Sequence, residues 1–297
     1  MLTSGELLVG RSDTLSPTLE RLRGPSSRYH PATRRLIHYK NEIERLQERQ
    51  DHIIRSTIAN RALETHFQPI VDLRTGQAVG VEALARFAQQ PIRPPDAWFA
   101  EAASLGFGIE LELTALDLAL EQLDRLPSGL YLSLNASVET IMSERFRSTL
   151  SDVPAERIVL ELTEHTPIVD YGEFEQCIRN LRSQGVRLAV DDAGAGFSSF
   201  RHILDLQPDV IKLDIGLIHG IDRDPARQSL GRALLTFALE TSGTTIVAEG
   251  IETEGELETL RALGCPSGQG FLLGRPSRLP STSKPLPVTQ IESSMIA

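Results

Sequence analysis

The 297-residue chain has little of several things, and each shortage excludes something. It has two cysteines, Cys177 and Cys265, far apart and in no metal-ligand spacing, so neither a disulfide framework nor a thiolate metal site is expected. Aromatic residues make up 5% of the chain, with one tryptophan. The apolar material is therefore mostly Val, Ile, Leu and Ala, which suits an α/β core. Basic residues are in deficit, and the net charge of -10 argues against a nucleic-acid or membrane-surface binder, which needs a basic face. No apolar run approaches the roughly 20 residues of a membrane span. The opening residues lack the basic-then-apolar layout of a signal peptide, so the expected location is the cytoplasm, with reduced thiols.

What remains is an ordinary globular composition, 40% hydrophobic and 24% charged. Residues 1–31 are rich in Ser, Thr, Pro, Gly and Arg without a period and read as a flexible segment. Residues 32–60 read as an amphipathic linker helix. Leu36, Tyr39, Ile43, Leu46 and Ile53 fall at heptad-like steps between charges such as Glu42, Arg45 and Arg49. Gln50 and Thr57 interrupt the seam. The helix either packs on its own domain or serves a dimer or a signal-relaying partner. Residues 281–297 read as a flexible tail.

Residues 61–280 alternate between strand and helix. Phe67–Val71 and Ala78–Leu84 flank a turn at Asp72–Gly76 and predict a hairpin. Further strands are expected at Leu130–Leu134, Arg157–Leu162, Val186–Val190, Val210–Leu213, Thr245–Ala248 and Gly268–Leu272, with helices between them. Eight strands predict a closed, TIM-like (βα)8 barrel with one antiparallel strand, contributed by the hairpin and preceded by the N-terminal helix. An open doubly wound sheet is the alternative, but no glycine fingerprint follows the first strand.

The polar residues fall at strand ends: Glu82, Asn135, Glu161, Asp191 with Asp192, Lys212 with Asp214, Glu249 with Glu252, and Gln269. In a βα barrel these positions converge on the rim where active sites lie. One strand-end carboxylate commonly caps the next helix. Six or more would repel and take up protons unless cations neutralised them. An all-oxygen donor set without His or Cys favours Mg2+ or Mn2+, admits Ca2+ and disfavours Zn2+. His165 reads as a loop residue. Adjacent Asp191 and Asp192 suit two metals bridged by one carboxylate, about 4 Å apart. With a lysine and a glutamine on the same rim, the chemistry indicated is hydrolysis of a phosphate ester.

The ordered motifs resemble one family. Phe67–Ile70, then Glu82-Ala-Leu84 with Arg86, Leu134–Ser137, Glu161–Glu164, Asp191–Ser198, Lys212–Asp214, Ala248–Glu252 and Gln269–Phe271 together are similar to the EAL domain, which hydrolyses the bacterial second messenger cyclic di-GMP. The resemblance covers about residues 62–280. It implies a first Mg2+ or Mn2+ on Glu82, Asn135, Glu161 and Asp191, a second on Asp191, Asp192 and Glu249, and inhibition by Ca2+. It implies Lys212 as general base, Gln269 placing the water, Glu164 bracing the loop after Asp192, and Gln68 and Arg86 touching the substrate. The implied product is linear pGpG, and a homodimer is expected. Three positions depart from the usual loop: Ala193, Ala195 and Phe197 stand where Phe, Thr and Tyr are common. None is a ligand, but the small residue at 193 removes packing near Asp192. The rival expectation is a degenerate EAL domain that binds cyclic di-GMP or a protein without hydrolysis. A barrel acting on another phosphodiester is a third.

Overall fold

The computed structural model describes residues 31–90, 92–162, 168, 171–193, 197–241 and 243–279. Contacts divide the chain into two units, at His52 and Ile53. The boundary falls inside the first helix, α1 (Pro31–Ala59). In the first unit, Tyr39, Ile43 and Leu46 lie on the helix surface, each more than half exposed. In the second, Ile54 is fully buried with Leu63, Trp98, Ala102 and Leu111.

The second unit is a closed barrel with strands in sequential order. β1 (Glu64–Asp72) and β2 (Ala78–Arg86) form the expected hairpin, and β1 is antiparallel to both its neighbours. α2 (Pro95–Ser104) and α3 (Gly108–Leu120) follow. Then come β3 (Tyr131–Asn135), α4 (Val138–Met142), α5 (Glu144–Thr149), β4 (Ile158–Leu162), α6 (Tyr171–Ser183), β5 (Arg187–Ala193) and α7 (Phe197–Leu206). The chain continues through β6 (Val210–Leu213), α8 (Ile215–Ile218), α9 (Pro225–Glu240), β7 (Thr245–Ala248), α10 (Glu254–Ala262) and β8 (Ser267–Gly268). From β2 to β8 each successive pair is parallel. Among the described residues no helix is long and apolar enough to cross a membrane.

The last strand differs from its expected span of Gly268–Leu272. It ends at Gly268, because Gly270 passes so close to the Ile251 backbone that a Cβ there would lie 2.1 Å from its carbonyl oxygen. The chain then turns, with Leu273 and Gly274 N–H groups both donating to the Gly270 carbonyl.

Alternation along each strand sorts the side chains. Leu132 and Leu134, Leu160 and Leu162, and Val190 and Leu213 belong to the clusters under the helices. The intervening positions form the interior, where Ile70, Val159, Ala189, Val210 and Val247 make a buried apolar layer. Tyr131 and Arg187 begin their strands and so lie at the N-terminal end, with the guanidinium 4.6 Å from the ring centre. Gly80 makes this possible, since a Cβ there would meet the Tyr131 ring at 2.5 Å. The apolar layer and this floor leave the opposite, C-terminal mouth for polar side chains.

Candidate active site at the barrel mouth

One step further along the same inward positions, the residues change from aliphatic to polar. Gln68 stands opposite Glu82 in the β1–β2 pairing, and Asn135 opposite Glu161 in β3–β4. Lys212 follows Val210 by two residues, and Glu249 follows Val247 by two. Alternation alone thus delivers Glu82, Asn135, Glu161, Asp191, Lys212, Glu249 and Gln269 to one end of the barrel.

Asp192 needs more. Regular alternation would turn it outward toward the apolar cluster that holds Val190. Instead β5 carries a bulge: Val190 pairs with Ile211 and Ala193 with Leu213, so Asp191 and Asp192 together oppose Lys212. Asp192 adopts φ 54°, the left-handed region that Asp tolerates better than most residues. Its N–H donates to Asp191 Oδ1 at 2.9 Å. Asp191, Asp192 and Glu249 each then offer an oxygen within 4.8 Å of the others. Ala193, the small residue at the family's usual Phe position, is fully buried beside Ile203, Leu213 and Leu217.

Lys212 stands at the centre. Its Nζ lies 2.7 Å from Glu161, 2.7 Å from Glu249, 3.3 Å from Asp191 and 3.7 Å from Glu82. One ammonium therefore faces four carboxylates, nearly all of them out of water. Burial by itself would lower the lysine pKa, but the surrounding acids drive it well above the ordinary value. Glu161 goes the other way from a normal acid: burial and then the Glu82 charge push its pKa up to about 8, against the pull of Lys212. Burial and the Asp191 charge likewise raise Glu249, despite Lys212. Glu82 is the exception. Burial would raise it, but the Lys212 charge and donors from Gln269 and Asn135 hold it below the usual carboxylate range. Asn135 Nδ2 donates to Glu82 Oε1 at 2.9 Å and Gln269 Nε2 to Glu82 Oε2 at 2.6 Å. With its NH2 so committed, Asn135 keeps its carbonyl oxygen, the only ligand atom an amide offers a hard cation.

The donor set therefore fits a divalent cation. All its atoms are oxygens, and four carboxylates exceed what one ammonium balances. Two flanking features hold the set in place. The Ser133 hydroxyl, buried inside β3, donates to Glu161 Oε1. Sequence reading missed Ser133; its only signal is a lone hydroxyl at an inward position of an apolar strand. Glu256 accepts from the N–H groups of Glu252, Thr253 and Gly220, which ties down the loop carrying Glu249.

Not every strand-end acid joins. Asp214 accepts from Gly216 N and caps α8. Glu252 lies 3.4 Å from His219. Arg86 is half-buried, donates to the Ala85 carbonyl and has no ion-pair partner among the described residues. Glu164 and His165 lie outside the described residues, as does the stretch 194–196.

A mixed βα barrel with an acidic, lysine-centred mouth defines a class of barrel proteins with a polar rim site, and comparison with known proteins narrows it. The EAL domain model matches residues 51–276, and the chain belongs to that family. It is 31% identical over 248 residues to the bifunctional diguanylate cyclase/cyclic di-GMP phosphodiesterase MucR of Pseudomonas aeruginosa, covering 80% of this chain and 36% of that one. It thus spans about a third of the length of the first curated relatives it matches. The solved PaMucR phosphodiesterase in complex with c-di-GMP is 30% identical, with a TM-score of 0.69 over 78% of this chain and 98% of that chain. Klebsiella pneumoniae BlrP1, solved with manganese and cyclic di-GMP, is 28% identical, with a TM-score of 0.65 over 73% of this chain and 56% of that one.

Proposed function

We propose that this chain is a phosphodiesterase that hydrolyses cyclic di-GMP to linear pGpG with two divalent cations, Mg2+ or Mn2+. The observation that carries the reading is the excess of carboxylate over ammonium at the mouth: four acids within 4.0 Å of Lys212. A receptor that only held a dinucleotide, itself an anion, gains nothing from an uncompensated acidic floor. Relatives named as cyclic di-GMP phosphodiesterases supply the substrate class.

Glu82, Asn135, Glu161 and Asp191 would hold one cation, and Asp191, Asp192 and Glu249 the other. When bound, the pair supplies charge neutralisation at the phosphoryl oxygens and makes a water more acidic. The chain's own residues do the rest. Arg86, a half-buried guanidinium with no ion pair among the described residues, anchors a substrate phosphate. Gln269, held beside Glu82 by its amide, places the water. Lys212 donates to the water while its acids keep it an ammonium. It acts as a base only once their charge is otherwise balanced. The water oxygen joins phosphorus, one ester P–O bond breaks, and the freed ribose oxygen takes a proton. Gln68 completes the wall beside Gln269, and Glu164 braces the loop after Asp192. Ca2+, larger and tolerant of irregular coordination, binds the same oxygens and inhibits. The exposed stripe on α1 serves a homodimer or an upstream sensor, and the protein acts in the cytoplasm.

Incubation of the full chain with cyclic di-GMP and Mn2+, followed by chromatography, tests the reading. Appearance of pGpG supports it. Tight binding without cleavage makes the protein a receptor instead, and cleavage of other phosphodiesters but not this one moves the substrate class.

A further inference from the structure

β3 carries a hydroxyl where the neighbouring strand carries an aliphatic group. Ser133 is 1% exposed and pairs with Val159 across β3–β4, beside the apolar layer to which Val159 belongs. A buried hydroxyl is costly unless it is hydrogen-bonded. Ser133 avoids that cost by reaching diagonally to the next strand, where its Oγ lies 2.5 Å from Glu161 Oε1. The other oxygen, Glu161 Oε2, accepts from Lys212 at 2.7 Å. The carboxylate is thus held from two strands, β3 and β6. The two donors differ. Lys212 also faces Glu82, Asp191 and Glu249, and a cation arriving among these acids repels it. Ser133 is neutral and lies one inward step below Asn135, so its bond outlasts the arrival. A carboxylate that binds a cation only accepts, and the hydroxyl is then the donor.

From this geometry we infer that Ser133 is a positioning residue that acts through Glu161 and sets which divalent cation the mouth prefers. The inference rests on the cation-binding part of the reading above. Ser133 itself touches no cation; it keeps one ligand from turning. Mg2+ demands near-ideal octahedral geometry at about 2.0–2.1 Å, whereas Ca2+ accepts about six to eight oxygens in flexible arrangements. A pinned carboxylate therefore helps Mg2+ more than Ca2+, and freeing it narrows the gap between them.

Calorimetric titration of Mg2+ and of Ca2+, each alone, into the full chain, Ser133→Ala and Ser133→Thr tests this. Ser133→Cys, close in shape but a weak donor, replaces the alanine form if that does not fold. In Ser133→Ala the Mg2+ affinity should fall about tenfold. The Ca2+ affinity should fall by less than about threefold. Ser133→Thr keeps the donor and should return Mg2+ affinity to within about threefold of the unaltered chain. Equal losses for the two cations, no loss in Ser133→Ala, or a Ser133→Thr chain as weak as Ser133→Ala overturns the inference. Unchanged discrimination in variants of a chain that cleaves cyclic di-GMP sinks the inference and leaves the phosphodiesterase reading standing. The expected shift in a chain that cleaves nothing does the reverse. If the unaltered chain binds neither cation, both fall.

Discussion

Glu161 and Lys212 meet at 2.7 Å although their strands, β4 and β6, are not neighbours; β5 lies between them. The contact crosses the barrel mouth. It joins a carboxylate with a raised pKa to an ammonium with a raised pKa, and the predictions start from that opposition.

The sign of the pH dependence follows. Glu161 holds a proton up to about pH 8 when folded, against an ordinary value of 4.5. The folded chain therefore binds more protons than the unfolded one across that window, and its stability without metal falls as pH rises through it. Mn2+ needs the ionised form, so its binding should release protons and tighten from pH 6 to pH 8. Calorimetry in buffers of different ionisation enthalpy measures both. Affinity that is flat with pH, with no proton release, counts against the assignment.

Lys212→Met should destabilise the metal-free chain by about 3–5 kcal/mol at pH 8, because it strands buried acids without a counter-charge. Part of that loss should return on acidification, which protonates Glu161, and part on addition of Mn2+. Thermal unfolding at two pH values, with and without metal, reads all three effects.

Glu82→Ala should leave the chain folded and reduce turnover by at least about 100-fold, since it removes a ligand and frees the Asn135 and Gln269 amides together. Chromatographic assay for pGpG measures it. Near-normal turnover in a folded variant refutes the ligand set.

At Asp192 the backbone and the charge separate. Asp192→Asn tolerates the positive φ and should keep its melting temperature while losing affinity for a second cation. Asp192→Val cannot take that conformation without strain and should lose about 1–2 kcal/mol as well. Equal stability in the two variants would mean that the bulge relaxes.

On α1, replacing Ile43 and Leu46 together by Glu leaves the barrel residues untouched. If the stripe pairs two copies, sedimentation should show the dimer lost; an unchanged assembly state assigns the stripe elsewhere.

Much of this was legible in the sequence because two-residue alternation governs both layers of the barrel. Once Val159 and Val210 are read as interior, Glu161 and Lys212 follow on the same face. The hairpin was visible from its turn at Asp72–Gly76, and it makes β1 antiparallel. What escaped depends on contacts distant in sequence. The two-residue length of β8 is set by the Ile251 backbone against Gly270, and no local pattern encodes that. Strand-end acids were read alike, yet Asp214 caps a helix and Glu252 faces His219, because the turns after β6 and β7 aim these two away from the mouth. Ser133 was hidden for the opposite reason: it sits in the pleat, where a hydroxyl looks like a tolerated small residue.

The bulge at Asp191 and Asp192 makes chain length in β5 a chemical variable. Val190 can be exchanged for another aliphatic residue and the mouth keeps its composition. Deleting one of the two residues between Val190 and Ala193 restores even pairing with β6 and leaves the mouth one carboxylate short. A deletion that a surface loop absorbs would here remove a candidate cation ligand. Lineages of this barrel can therefore drift in side chain along β5 far more freely than in residue count.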